Sequence, residues 1–237
     1  LNFFSPIRTY SYKPFATEIF YFILHLLGNN VVVGHSIVFI VYFIGLLYLY
    51  RSLNKMTHNE SLSKLITFLY AIHFTHVFQL YWFATFQEIA LFTFLLISFY
   101  YFLVGKKVSS LIFFAFALLS KETALFYFPF LLFFSLFIMK KITMKKRMFT
   151  LIPYALLAFI FFLIYRYSLS HVTTLDNYKP HLSLRFLLNN LMWYGLWGVG
   201  FPNFMPDYFL SVFQPPIAMF WKLYAQIDIK TFFFFLA

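Results

Sequence analysis

The chain has 237 residues, of which 62% are hydrophobic and 11% are charged, and its mean hydropathy is +0.80. Soluble domains carry about 25% charged residues and cannot bury so much apolar surface at this size, so the composition excludes an ordinary soluble protein. The absence of cysteine excludes disulfides, thiolate metal sites and a cysteine nucleophile. The net charge of +11 comes from residues clustered between apolar runs, so membrane topology explains it better than nucleic-acid binding.

We predict an all-α fold, a polytopic membrane helix bundle with about six transmembrane helices plus interfacial helices. A short helix is expected over 14–27, because Pro14 suits a first helical position and Gly28 suits a C-terminal cap. This helix is short for a membrane span, so an interfacial position is also open. The run 31–50 is a clear span, since about 20 helical residues rise about 30 Å, the thickness of the hydrocarbon core.

The middle of the chain alternates between polar and apolar segments. We predict a polar loop at 51–64, followed by a short apolar segment at 65–75 and a mixed aromatic and polar connection at 76–87. A membrane span at 89–104 and a tight turn at 105–107 come next. The next apolar stretch, 108–138, is too long for one upright helix. Because only Ser120-Lys121-Glu122 interrupts it, we predict a hairpin of two short helices.

A basic segment at 140–147 precedes the last complete span, which is predicted at 149–166 with Pro153 near its start. The composition then changes. We therefore divide the chain into a multi-pass membrane core at 1–167 and an outer loop at 168–237.

Within the outer loop, apolar residues recur at helical spacing over 182–197, which predicts an amphipathic interfacial helix. Its aromatic side chains suit the level of the lipid headgroups: Trp193, Tyr194 and Trp197. The first residue is not Met, and the apolar run 231–237 is typical of the start of another membrane helix. We expect the sequence to be a fragment.

More than half of the 18 Lys and Arg residues lie in three segments, 51–64, 105–107 and 140–147. The positive-inside rule assigns these segments to the cytoplasm. The break at 120–122 and the connection 76–87 then fall on the opposite face. We expect a cell-membrane protein whose active face is extracytoplasmic.

Charged residues within apolar stretches are costly unless they reach water or a partner, which makes Lys121 and Glu122 candidates for function. They either mark a hairpin tip in interfacial water or place Lys121 to bind an anionic headgroup, since lysine is a good phosphate ligand. The sequence leaves both interpretations open. Glu18 is expected to pair with Arg8 or Lys13, and a catalytic carboxylate is the alternative.

His73 and His76 have a spacing of three, which places both imidazoles on one face of a predicted helix. Zinc would need a third ligand, for which Glu88 is a distant candidate, and the sequence has no HExxH pattern. We therefore expect ordinary hydrogen-bonded histidines, no metal and no other cofactor. Glu88 also has a structural explanation, because the dipole of the following helix favours a carboxylate at its start.

Four segments carry a family resemblance in their order and spacing. SYKPF at 11–15 is similar to S-Y-R-P-L, and GHSIV at 34–38 is similar to Y-H-L-V-N. AIHFTHV at 71–77, with Trp82 and Glu88, is similar to A-L-H-P-x-H-V-E-x-V-A-W-x-x-x-R-x-D, and LLSKETA at 118–124 is similar to L-L-[SA]-K-E-[TQ]. Over about residues 5–165 the chain resembles GT-C-fold, polyprenyl-phosphate-sugar-dependent glycosyltransferases, especially the protein O-mannosyltransferase group and its bacterial relatives.

The resemblance implies transfer of a sugar from a polyprenyl-phosphate donor to a protein, glycan or lipid acceptor at the outer face of the lipid bilayer, without nucleic acid. It implies that Lys121 contacts the donor phosphate with help from other cations, and that Glu122 orients Lys121 or binds acceptor hydroxyls. The implied substrate-binding residues are Lys121, Glu122, Arg8, Lys13, His73, His76 and Glu88.

The sequence also departs from the family pattern. Phe74 replaces the proline, Phe78 replaces an acid, and Phe86 or Gln87 replaces the arginine. In that family, an Asp or Glu of the first outer loop acts as the general base. This loop is expected upstream of residue 1, so no catalytic residue is assigned. A transporter-like subunit and a non-catalytic multi-pass membrane protein remain alternatives, although a transporter predicts charges deep in several spans.

The topology predicts that positions 55 and 121 lie on opposite membrane sides. The natural chain has no cysteine, so Lys55→Cys and Lys121→Cys each introduce a single thiol. A membrane-impermeant maleimide applied from outside should label position 121 and not position 55. Labelling of both from the same side would refute the topology.

Overall fold

The computed structural model describes residues 4–7, 12–73, 75–138, 143–171, 183–198 and 218. The described residues form helices and no strand, which confirms the predicted all-α class. The chain divides into two compact units, Leu1–Asn177 and Tyr178–Ala237. Several predictions concern residues outside the described part: Arg8, the basic residues 140–142, the terminal run 231–237 and most of the outer loop.

In the first unit, the described residues form eight α-helices. They are α1 (Phe20–Leu26), α2 (Val31–Thr57), α3 (Glu60–Ala71), α4 (Thr75–Tyr81), α5 (Phe86–Leu103), α6 (Lys107–Ser120), α7 (Tyr127–Phe137) and α8 (Met144–Ser170). A π-helical segment precedes α1, and 3-10 turns precede α5 and α7: Phe15–Ile19, Phe83–Thr85 and Glu122–Phe126. In the second unit, α9 (Leu184–Gly198) occupies the predicted amphipathic segment.

Among the residues that the structure describes, three helical segments are long and apolar enough to cross a membrane: Val31–Thr57, Phe83–Leu103 and Met148–Ser170. Three shorter segments are also apolar: Phe15–Leu26, Lys107–Ser120 and Glu122–Phe137. Large side chains such as Phe43 and Phe159, with 64% and 58% of their surface exposed, cover the outside of the long helices. Such contiguous apolar surface suits lipid rather than water, as the composition predicts.

The predicted polar loop at 51–64 is wrong, because α2 continues to Thr57 and α3 begins at Glu60. Only a two-residue joint separates the helices. In that joint, His58 adopts a left-handed conformation (φ 52°), and the side chain of Asn59 accepts the Leu62 amide at 2.9 Å. Polar residues continue a helix readily when its last turns leave the apolar layer, so polarity alone does not mark the helix end.

Two further boundaries differ from the sequence prediction. The connection 76–87 contains helix α4 and a 3-10 turn, and the basic segment already becomes helical at Met144. The tight turn after α5 is confirmed, with Gly105 at φ 79° and the Lys106 amide donating to the Tyr101 carbonyl at 2.9 Å. Pro153 lies inside α8, as predicted for the start of the last apolar run.

Helices α2 and α5 run side by side in the same direction and pack closely at Gly45. A Cβ atom at this position would lie 2.7 Å from Thr93 Oγ1 and 2.7 Å from the Phe92 ring. Thr93 donates its hydroxyl hydrogen to the Val41 carbonyl at 2.9 Å. The missing side chain therefore permits the close approach that this interhelical hydrogen bond requires.

The stretch 107–137 forms the predicted hairpin. Helix α6 runs back along α5, and α7 then returns, so that Phe134 lies 5.0 Å from Phe99 between ring centroids. Phe99 is close to the end of α5 at which α6 begins. Lys106 and Lys121 consequently lie at opposite ends of α6.

A buried polar network ties α5, α6 and α8 together. Ser98 donates to the Ser110 carbonyl at 2.8 Å, and Ser110 donates to the Ser98 carbonyl at 2.7 Å. The Tyr154 hydroxyl donates to Ser110 Oγ at 2.6 Å. Apolar surroundings make each of these groups costly to leave without a partner, so the three side chains fix the positions of the three helices.

Ser110→Ala should lower the free energy of unfolding by about 1–2 kcal/mol, because it removes two hydrogen bonds and leaves Tyr154 without its acceptor. Ser109→Ala is the matched control, since Ser109 is only half-buried and lies outside this network. Thermal unfolding in detergent measures the difference. Equal midpoints for the two variants would contradict the role of the network.

Candidate functional site

Lys121 lies where the hairpin breaks. Helix α6 ends at Ser120, and Lys121 has an extended backbone (φ −160°, ψ 142°) before the 3-10 turn. Its amide donates to the Ala117 carbonyl and its carbonyl accepts from the Ala124 amide, both at 3.1 Å. Both backbone groups of Lys121 are therefore hydrogen-bonded at the break, and the side chains of residues 121 and 122 reach different partners.

The Lys121 ammonium forms an ion pair with a carboxylate oxygen of Glu88. Glu88 is in the first turn of α5, where the helix dipole also favours its negative charge. The two side chains keep only 19% and 30% of their surface exposed. The hairpin tip is thus joined to α5 by a partly buried charge pair, and Lys121 does not point freely into solvent.

The neighbouring Glu122 pairs with Lys13 from the segment before α1. Lys13 Nζ lies 3.6 Å from Glu122 Oε2, and the side chains are 12% and 22% exposed. Glu122 Oε2 is buried and has no hydrogen-bond partner among the described residues. This oxygen is an acceptor that a bound hydroxyl group would satisfy.

We call Lys13, Glu88, Lys121 and Glu122 the charged cluster. Its members come from three of the four segments that carry the family resemblance. Two positive and two negative side chains compensate each other, so the cluster has no net formal charge. Chemically, its two ammonium groups can bind an anion in exchange for a carboxylate. Glu122 Oε2, which pairs with Lys13 but accepts no hydrogen bond among the described residues, can accept one from a hydroxyl donor.

The two histidines do not share a helical face, because α3 ends at Ala71 and His73 lies in the joint before α4. Their rings are nevertheless 6.2 Å apart. His73 and His76 make ordinary hydrogen bonds, to Thr75 Oγ1 at 2.8 Å and to Gln79 Oε1 at 3.2 Å.

His76 is buried and packs beside Tyr70, with 4.5 Å between ring centroids. Burial lowers the pKa of His76, which keeps its imidazole neutral at pH 7. In the described part of the chain, no three His, Asp or Glu side chains are grouped to hold a metal ion. The histidines accordingly form part of an aromatic cluster beside the tyrosines of α2 and α3.

Glu18 fastens the N-terminal segment. Its carboxylate accepts the Phe4 amide at 2.9 Å, and the Tyr12 hydroxyl donates to the Phe4 carbonyl at 3.3 Å. Lys13 forms its ion pair with Glu122, and Arg8 lies outside the described residues. The sequence did not predict the Lys121–Glu88 pair or the Lys13–Glu122 pair. The available signal was that Lys and Glu residues lie at the same predicted end of the bundle.

Comparison of the chain with protein-family models, with curated protein sequences and with solved structures finds no match.

The Lys121–Glu88 pair predicts strong coupling between two substitutions. Glu88→Met should destabilise the protein by about 2–4 kcal/mol, because it leaves a partly buried ammonium group without its carboxylate. The double variant Lys121→Met/Glu88→Met should recover most of this loss, since two apolar side chains can pack where the charges stood. Unfolding midpoints of the wild type, both single variants and the double variant measure the coupling, and additive effects would exclude it.

Proposed function

We propose that the chain is a membrane glycosyltransferase that moves a sugar from a polyprenyl-phosphate donor to an acceptor at the extracytoplasmic face. The main observation that supports this proposal is the charged cluster, which brings Lys121 and Lys13 together with two carboxylates at one end of the bundle. The family resemblance is strongest around the same residues. The proposal includes a multi-pass bundle in the cell membrane whose basic segments lie on the cytoplasmic side.

Lys121 is the proposed contact for the donor phosphate. Its ammonium already holds one anionic oxygen, from Glu88, and a phosphate oxygen can take that place. The leaving polyprenyl phosphate carries more negative charge than the phosphodiester donor. A cation fixed beside it therefore stabilises the transition state more than the bound donor.

The reaction breaks the bond between the sugar anomeric carbon and the phosphate oxygen and forms a bond to the acceptor oxygen. Polyprenyl phosphate leaves with the bonding electron pair, and the acceptor proton passes to a carboxylate base. The base itself is not assigned to a residue. Lys13 supports the phosphate contact, and Glu122 Oε2, which accepts no hydrogen bond from the described residues, accepts one from an acceptor hydroxyl.

A second candidate function follows from the charge balance of the cluster. Its cations are already compensated by carboxylates, which is the arrangement expected of ion pairs that only hold helices together. A non-catalytic multi-pass or transporter-like subunit would use the cluster in this way. The two functions differ in whether the wild type transfers a sugar, and a variant that keeps the fold and removes the charges tests the role of the cluster in that transfer.

Lys121→Ala should reduce sugar transfer about 100-fold or more, the usual effect of removing a group that stabilises transition-state charge. Lys121→Arg should retain part of the activity, because the charge remains while its geometry changes. The measurement is the loss of labelled hexose from polyprenyl-phosphate hexose in membranes that contain the endogenous acceptors. Lys107→Ala, which removes an exposed lysine at the far end of α6, should transfer at the wild-type rate.

The double variant Lys121→Met/Glu88→Met separates catalysis from helix packing. A folded double variant without transfer supports the phosphate contact. A folded double variant with wild-type transfer overturns the phosphate contact. If the wild type transfers a sugar from no polyprenyl-phosphate hexose, the result favours the non-catalytic subunit.

A further inference from the structure

A second polar site lies at the other end of the first unit. Glu88 is in the first turn of α5 and Tyr100 is near its end, so about 18 Å of helix separates the charged cluster from this site. The site is a pocket of about 420 Å³ lined by Tyr50, Arg51, Asn54, Lys55, His58 and Tyr100. Four of these residues come from one face of α2, His58 comes from the joint after it, and Tyr100 comes from α5.

The lining offers hydrogen-bond donors and positive charge. Arg51 and Lys55 supply two cations, and Asn54 and Tyr100 add neutral donors. The Tyr50 hydroxyl is already hydrogen-bonded to Glu60. The guanidinium carbon of Arg51 lies 5.4 Å from the ring centroid of Tyr48, whose hydroxyl lies 3.4 Å from that of Tyr101. The aromatic contact orients the cation, and Arg51 remains exposed. This combination is complementary to a phosphate group.

Helix capping explains only part of the arrangement. Lys55 is in the last turn of α2, where free carbonyls attract cations, and the His58 amide donates to the Asn54 carbonyl at 3.0 Å. Arg51 precedes that turn, and Tyr100 belongs to another helix.

The carboxylate of Glu60 lies nearby and is already engaged. It is 2.6 Å from Lys64 Nζ, and hydrogen bonding to Lys64 lowers the pKa of Glu60, which keeps it ionised and paired. Glu60 therefore leaves the cations of the pocket available to an external anion.

An exposed apolar stripe leads from the middle of α2 to this pocket. Ile40, Ile44 and Leu47 are 58%, 39% and 45% exposed, and they precede Arg51 at helical spacings of three and four residues. One helix face thus presents an apolar track that ends in a cationic pocket. That is the outline of an amphiphile, with acyl chains along the track and a charged headgroup in the pocket.

We propose that this pocket binds the phosphate headgroup of an anionic phospholipid, whose acyl chain lies on the Ile40–Leu47 stripe. The volume is sufficient for a phosphoglycerol headgroup. The site is separate from the charged cluster and does not depend on the proposed transferase activity. Inorganic phosphate shares the headgroup chemistry but gains nothing from the stripe.

The test measures the thermal unfolding midpoint of the purified full chain in mild detergent with added phosphatidylglycerol, phosphatidylcholine or inorganic phosphate at equal concentration. Phosphatidylglycerol should raise the midpoint in a saturable way, and the other two should not. Each cation near an anionic lipid contributes roughly fivefold to binding, so Arg51→Gln/Lys55→Gln should weaken phosphatidylglycerol binding roughly 25-fold.

Lys106→Gln/Lys107→Gln is the matched control, because it removes two charges at the same end of the bundle and outside the pocket lining. It should bind phosphatidylglycerol as the wild type does. Lys55 is exposed, so Lys55→Gln alone should leave the fold intact and weaken phosphatidylglycerol binding roughly fivefold. This single variant keeps the test valid if the double pocket variant fails to fold. Leu47→Gln should also weaken it, since the stripe then loses apolar surface.

Three results would overturn the proposal. The first is the absence of a shift with phosphatidylglycerol. The second is an equal loss of binding in the pocket and control variants, which would indicate general charge attraction. The third is an equal shift with inorganic phosphate, or no effect of Leu47→Gln, which would indicate a free-anion site.

Discussion

The free-energy cost of an isolated charge in apolar surroundings governs the end of the bundle where Lys121 lies. In this part of the chain an ammonium group has few waters to solvate it, and a nearby carboxylate is the compensation that the fold provides. Lys121 is joined to Glu88, and Glu122 is joined to Lys13. These two pairs connect the hairpin tip to α5 and to the segment before α1, so the polar side chains determine which helix ends meet.

The remainder of the first unit relies on close contact and uncharged hydrogen bonds. Lipid is as apolar as the helix surfaces, so burial of apolar side chains gives little preference for one helix partner over another. Three features supply that preference. They are the hydrogen bond from the Thr93 hydroxyl to the Val41 carbonyl, the close packing at Gly45 and the Ser98–Ser110–Tyr154 network. They fasten α2, α6 and α8 to α5, which consequently lies at the centre of the packing.

The charge balance at the cluster connects structure with function. A lysine held by a carboxylate is positioned and ready, but an anionic ligand must compete with that carboxylate before it gains the contact. In the proposed reaction, the phosphate becomes more negative and competes best in the transition state, which is when catalysis needs the interaction. The same pairing would serve a structural role equally well. The distinction therefore depends on whether transfer is lost when the charges are removed and the fold is kept.

The sequence by itself determined the local properties of the chain. The apolar runs place helices over 31–50, 89–104 and 149–166, the glycine at 105 allows a turn, and the polar triplet at 120–122 interrupts a helix. Each of these depends on hydrophobicity or backbone conformation over a few neighbouring residues, which is information that a single sequence contains.

Only the tertiary structure decided which distant side chains meet. The sequence placed Lys121, Glu88, Lys13 and Glu122 at the same end of the bundle but did not assign Lys121 to Glu88 or Lys13 to Glu122. It also ended α2 too early, so the pocket formed by the last turns of α2 and Tyr100 was not anticipated. Ion pairs and pockets depend on which helices become neighbours and at what rotation. Those are set by the packing of the whole bundle, and residue type in one segment does not encode them.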